Sequence, residues 1–401
     1  MSPRRAVGRL LVSVAAALLI SVMPVGSATA GPAAAELPPG LTSAVGRDLR
    51  LEPQEYLRRV ELAQRLADFA ASLDRRFPDA VAGTWLDPQG RAVVAIRDAA
   101  EGAREAVRQR GFLAVDESAT PELAAVSAVS MRELLMDAAS DSTGDRTVGG
   151  DRYIAGKGLC SWAFNAIDSA GLPAAVTAGH CNEAAEAGEP VTDEQQTFTP
   201  LPGPIAGAPT GTFEKAIVDG IRDYSIVRIA GEARNSFDNN LVRAGQSTIA
   251  ITGVGVPVVG EPVCKSGATS GFTCGIVTRV DQPDPQRPPI RFMHSALSLP
   301  GDSGGALISG TLAMGIVSQG GYSDEPTRFP SEKPGTLPTF PSNPLTKEFT
   351  KRLAAGDFQS FLEQLGPLAD QLVRAVPGLT MIAQSVADVL AENPGLQLRT
   401  Q

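Results

Sequence analysis

Apolar positions change their rhythm along this chain, and each change marks a different kind of structure. Between Pro53 and Phe77, Leu62, Leu66, Phe69 and Leu73 recur at helical spacing beside Val60, Ala63 and Ala67, which predicts an amphipathic helix ended by Pro78. Ala82 to Leu86 and Ala92 to Ile96 then read as strands joined by the turn Asp87-Pro88-Gln89-Gly90. A helix from about Ala99 to Arg110, a strand at Phe112 to Val115 and a third helix from Pro121 to Ala138 complete an α+β unit. From residue 147 to about 322 the pattern becomes short β-branched runs separated by Gly, Pro and Asp clusters, the signature of an all-β fold. Residues 323–344 are proline-rich and predict extended chain. Helical patterns at about Phe358 to Leu365, Leu368 to Val376 and Leu379 to Glu392 follow, broken by Gly366-Pro367 and Pro377-Gly378, with Ile382, Val386, Val389 and Leu390 on one face. The expectation is a helical C-terminal extension over 356–401.

Composition narrows the classes. At 401 residues, 43% hydrophobic and 20% charged, the chain has material for two or three globular units. A net charge of −9, with no Lys/Arg-dense run, argues against nucleic acid or an anionic membrane as partner. The start is different in kind. Arg4, Arg5 and Arg9, an apolar stretch from Leu10 to Val25, and Ala28-Thr29-Ala30 have the layout of a secretory signal cut after Ala30, so residues 1–30 are expected to be removed. A retained anchor is the alternative, which the small-residue cleavage site disfavours; no later run is long enough to span a membrane. Export makes Cys160, Cys181, Cys264 and Cys274 readable as two disulfides, with three possible pairings. No close Cys-x-x-Cys pair exists and the chain has 2 histidines, so no metal site and no cofactor are expected.

Two short strings carry the chemistry: Thr177-Ala178-Gly179-His180-Cys181 and, later, Gly301-Asp302-Ser303-Gly304-Gly305. A serine hydroxyl is a weak nucleophile that needs a general base, and the base needs a group to orient it. His180 is the base candidate, Ser303 the nucleophile, and Asp223, at the head of the apolar run Tyr224 to Ile229, the orienting carboxylate. Asp219 and Glu214 are rivals for that last place.

The order His180, Asp223, Ser303, with these flanks, resembles the chymotrypsin-like serine proteases, and Gly149-Gly150-Asp151, Cys160-Ser161-Trp162-Ala163-Phe164-Asn165, Val263-Cys264-Lys265-Ser266-Gly267 and Cys274-Gly275 resemble their bacterial streptogrisin and α-lytic protease branch. The resemblance spans roughly residues 147 to 322, and Trp85-Leu86-Asp87 with Gly90 to Val94 resembles the hairpin of that branch's pro-region. It implies a two-barrel protease domain at 147–355, the α+β unit at 31–146 being a pro-region that acts as folding chaperone and inhibitor of its own protease. Maturation is expected near Arg146-Thr147, in the polar stretch Ser140 to Arg146. It implies bridges Cys160 with Cys181 and Cys264 with Cys274, oxyanion donors at the amides of Gly301 and Ser303, and a cleft lined by Ser318, Gln319 and Gly320. Asp302 is expected to be structural, with Lys265 its cation. Glutamate-preferring relatives carry a histidine where this chain has Val317, and Ala296 to Leu299 holds no aspartate for a basic side chain, so a small or apolar residue before the scissile bond is expected. His294 reads as structural. The implied activity is peptide hydrolysis through an acyl-enzyme by a secreted endopeptidase; the competing reading is a catalytically silent homologue that binds peptides or proteins.

Overall fold

A computed structural model describes residues 37–97, 100–123, 145–156, 158–201, 205–284, 287–322 and 379–401. The expected signal, the third pro-region helix beyond residue 123, most of the polar junction and everything between 323 and 378 lie outside these residues. The described chain begins with an arm: helix α1 (Pro39–Ala44) runs into a wide helical turn over Val45–Leu49, which ends where Arg50 turns left-handed. Helix α2 (Pro53–Arg76) starts on a proline, whose missing N–H has no partner to lose in a first turn. It packs against a sheet of β1 (Val81–Leu86), β2 (Ala92–Ile96) and β3 (Leu113–Asp116), with α3 (Glu101–Gln109) between the last two. Leu62, Leu66, Leu73, Leu86, Val94, Ile96 and Val107 form the core of this unit, as their spacing predicts.

Two sheets follow, antiparallel throughout except for one short parallel pairing at the edge of the second. β4 (Arg152–Ala155), β5 (Gly158–Ser161), β6 (Phe164–Ile167), β7 (Pro173–Thr177), β8 (Gln196–Leu201), β9 (Ile205–Val218) and β10 (Asp223–Ile229) build the first barrel around Tyr153, Trp162, Phe164, Val176, Phe213 and Tyr224. Tyr153 stacks on Trp162 with ring centroids 4.1 Å apart. The hairpin β11 (Leu241–Ala244) and β12 (Ser247–Ala250) leads across to the second barrel. That barrel comprises β13 (Gly253–Val254), β14 (Pro262–Gly267), β15 (Gly271–Asp281), β16 (Arg291–His294), β17 (Ala306–Ser309), β18 (Leu312–Tyr322) and β19 (Leu379–Ser385). Val263, Val277, Phe292, Leu307, Met314, Val317 and Ala383, drawn from six of its strands, meet in one interior cluster.

The C-terminal residues correct one expectation. Among the described residues 379–401 only Val386–Glu392 is helical, whereas Leu379–Ser385 is strand β19, pairing with β16 on one side and β18 on the other and so closing the second barrel. The helical spacing of Ile382, Val386 and Val389 coexists with an alternation that sends Ala383 into the barrel. Two open strand edges offer hydrogen bonds to every second residue, and that decides the conformation. β20 (Gln397–Leu398) then adds to the first barrel beside β6. Residues 379–401 are therefore woven through both barrels rather than appended to them. Among the described residues no helix is long and apolar enough to cross a membrane.

Candidate active site

His180 sits in a short turn, Gly179–Cys181, directly after β7, and the disulfide Cys160–Cys181 ties that turn to β5. The second disulfide, Cys264–Cys274, joins directly opposed residues of β14 and β15. Closing chain segments of this size contributes about 3 kcal/mol each through the unfolded state.

Asp223, the first residue of β10, is buried and faces the His180 turn with both carboxylate oxygens. Its Oδ1 accepts the His180 backbone N–H at 2.8 Å and its Oδ2 lies 2.8 Å from His180 Nδ1. The Ser318 hydroxyl donates to the same Oδ2 at 2.5 Å. The rivals Asp219 and Glu214 make no such contact; Asp219 accepts the Ile221 and Arg222 amides of its own turn. Burial opposes charge on Asp223, but the His180 charge and hydrogen bonds from His180 and Ser318 outweigh it, so its pKa falls below the usual carboxylate value. Burial also pushes the His180 imidazole down, and the Asp223 charge and hydrogen bond reverse that, leaving it above the usual histidine value.

Ser303 stands in the turn before β17. Its carbonyl accepts the Ser161 N–H of β5 at 2.8 Å and lies 3.9 Å from Cys181 Sγ, so the disulfide that holds the His180 turn also abuts the serine backbone. Among the described residues no hydrogen bond joins Ser303 Oγ to the His180 ring, and the Gly301 and Ser303 amides have no protein acceptor. Gly304, at φ +81, is required by close approach: a Cβ there would lie 2.0 Å from Thr177 Oγ1 and 2.5 Å from Ser161 O.

Asp302 points the other way, into the second barrel, and is fully buried. Lys265 Nζ lies 3.0 Å from its Oδ2, and the amides of Thr269, Ser270 and Leu299 donate to it at 2.8, 3.0 and 2.8 Å. The Ser270 hydroxyl adds a further short bond. Burial lowers the Lys265 pKa, with the Asp302 charge opposing.

Ser318 and its neighbours are arranged differently from one another. Ser318 is buried with its hydroxyl committed to Asp223, so it does not offer that group to the cleft; Gln319 is half-buried, and Gly320 pairs through its backbone with Met381. Gln384 of β19, which sequence reasoning did not single out, accepts the Asp223 N–H at 3.0 Å and donates to Ile290 O and Asp388 Oδ2 at 2.8 and 3.0 Å. No local signal marks it, because its bonds to Asp223 and Ile290 cross to β10 and to the segment before β16. His294 lies inside the second barrel, its ring centroid 6.1 Å from that of Phe292; burial and the Lys265 charge push its pKa down to about 3 against a weak opposing contact with the Ala296 backbone, and among the described residues neither ring nitrogen makes a well-formed hydrogen bond. Among the described residues no group of three or more His, Cys, Asp or Glu is placed to hold a metal ion.

Comparison with known proteins fits this geometry. Residues 54–115 match the family model described as alpha-lytic protease pro N-terminal. Serine protease 2 of Streptomyces fradiae is 33% identical over 172 residues, which are 42% of this chain and 90% of that protein. Streptogrisin-C of Streptomyces griseus is 28% identical over 348 residues, 73% of this chain and 72% of the relative. Among solved structures, Nocardiopsis protease is 26% identical, covers 64% of this chain and 100% of its own, and superposes with a TM-score of 0.39. A relative matched at that identity over nine-tenths of its length, preceded in this chain by the pro-region domain, settles the family: the chain is a serine protease precursor and belongs to the bacterial chymotrypsin-like serine proteases.

Proposed function

We propose that this chain is an endopeptidase that hydrolyses peptide bonds through an acyl-enzyme carried on Ser303, with His180 as general base and Asp223 as the group that orients it. The observation that carries the reading is the hydrogen-bonded line from Ser318 through Asp223 to His180 Nδ1, beside a turn that presents Ser303. With Nδ1–H donated to Asp223, Nε2 keeps its lone pair for the serine proton. Ser303 Oγ then attacks the peptide carbonyl, His180 takes the proton, and the amides of Gly301 and Ser303 stabilise the oxyanion, worth several kcal/mol in enzymes of this chemistry. Collapse expels the amine, which takes the proton from His180; water repeats the sequence on the ester and frees Ser303. No cofactor enters.

Gln319 and the backbone of Gly320 line the cleft in this reading, and Val317, buried and apolar, gives no charge for an acidic substrate side chain, which supports a small or apolar preference before the scissile bond. Residues 1–30 direct export, 31–146 form the pro-region that assists folding and inhibits until cut near Arg146-Thr147, and the mature enzyme works outside the cell. Non-local strand pairing throughout two barrels makes unaided folding slow, which supports the need for a folding template.

Intact mass measurement of the protein with a fluorophosphonate tests this. One adduct on a species beginning near residue 147, absent from Ser303→Ala, is the expected result. A folded, processed protein that gains no adduct overturns it.

A further inference from the structure

The arm ahead of the pro-region domain is built into the protease body more deeply than the domain itself. Leu41, Ala44 and Val45 are buried in the cluster that includes Ile249, Ile251, Cys264, Phe272, Cys274 and Ile308, not in the α+β unit's own core. Tyr56, in the first turns of α2, joins the same cluster, and its hydroxyl accepts the Gly310 N–H at 2.8 Å. Asp48 is wholly buried: Arg47 Nε lies 2.6 Å from its Oδ1, and its Oδ2 accepts the Cys274 N–H at 2.7 Å. Arg47 also donates to Phe272 O at 2.8 Å. Backbones meet as well, since a Cβ on Gly40 would lie 1.8 Å from Ala244 O.

The α+β unit touches the protease more lightly. It keeps its own core, in which Val258 is the one buried protease residue, and it also meets the protease through Tyr56 and Val60 of α2 and through Val259 beside Trp85. Its other polar links are Gln64 with Val256 and Glu261, and the Leu86 N–H with Val259 O. Taking the arm away would uncover the apolar flank of the Cys264–Cys274 hairpin and strip the Asp48 carboxylate from the Cys274 amide. Soluble proteins seldom expose such a flank.

We propose that residues 37–51 remain seated on the second barrel after maturation, as a separate non-covalent piece of the finished enzyme. This rests on the precursor reading above, with hydrolysis downstream of the arm consuming one water per bond cut. The substrate for that cutting is at hand, because Glu117 and Ser118, after β3, are exposed while Leu41, Ala44, Val45 and Asp48 of the arm are buried.

Native and denaturing mass spectrometry of enzyme purified from culture and quenched with a fluorophosphonate tests it. The expected result is one native mass that separates, on denaturation, into a chain beginning near residue 147 and a fragment containing 37–51. A chain beginning near 147 alone overturns the proposal and leaves the precursor reading intact. A single uncut chain overturns both. Two variants locate the grip: Val45→Asp is expected to reduce the recovered fragment at least about tenfold, and Gln64→Ala to leave it unchanged; the reverse pattern assigns retention to the α+β unit and overturns the arm's role. Hydrogen exchange on the wild-type enzyme gives a readout that needs no variant: the Cys274 amide, bonded to Asp48, is slow if the arm stays and fast if it has gone.

Discussion

Two buried aspartates, Asp223 facing the His180 turn and Asp302 preceding Ser303 in the chain, come one from each barrel and are held in different ways. Asp302 meets Lys265 with both side chains entirely out of solvent and accepts three backbone amides besides. Asp223 meets an imidazole whose side chain is 22% exposed and shares its oxygens with a serine hydroxyl. A lysine so placed has no easy route to lose its proton, whereas a partly open imidazole exchanges one readily. The first pair fixes a turn; the second leaves room for charge to move. In the proposed mechanism, what separates Asp302 from Asp223 is therefore the partner's access to solvent, not the depth of the acid.

The contrast breaks most visibly at Asp223. Asp223→Asn is expected to lower kcat by about 10³ to 10⁴ at neutral pH, because the wrong imidazole tautomer is then favoured, with a smaller loss of stability than a buried carboxylate left unpaired would cause. Lys265→Met is expected to do the reverse, costing about 3–5 kcal/mol in denaturant unfolding by leaving a buried carboxylate alone, and the double change Lys265→Met with Asp302→Leu should recover part of that stability without restoring the nucleophile turn. Ser318→Ala removes one hydrogen bond to a charged acceptor and should reduce kcat/KM by about tenfold.

Acidity sharpens the same comparison. His180 must be neutral to act, and its pKa is raised, so kcat/KM should climb with pH through a midpoint above about 6.5. Stability from the pair follows the other sign: the Asp223 contribution is lost as pH falls through its lowered pKa, and the His180 contribution is present below about 6.5 and lost as pH rises through its raised one. Thermal midpoints and kcat/KM collected on one pH series should thus diverge across neutrality, and parallel curves would show that the pair is not the titrating unit. The smallest effect is expected at His294, where replacement by Leu removes from the barrel interior two nitrogens without a well-formed hydrogen bond and should change stability by within about 1 kcal/mol and leave kcat/KM alone.

Much of this was legible in the chain because the informative residues are local. The turns around His180 and Ser303 are set by short runs in which small residues permit close packing, and the stripe on α2 and the Asp87 to Gly90 turn announce the α+β unit. What could not be read depends on distant partners. β19 carries helical spacing and became a strand because β16 and β18 flank it. Nothing in Pro39 to Leu49 reveals that Asp48 would be buried under the hairpin of Cys274, and nothing near Ser318 reveals that its hydroxyl turns from the cleft onto Asp223.

The Lys265 to Asp302 pair has a consequence for how such a protein is kept quiet. The acid next to the nucleophile draws its cation from within its own barrel, so no ammonium released at a new chain start is needed to set the turn. In the proposed enzyme, latency then rests on what covers the cleft rather than on setting this turn, which is in place before the first cut.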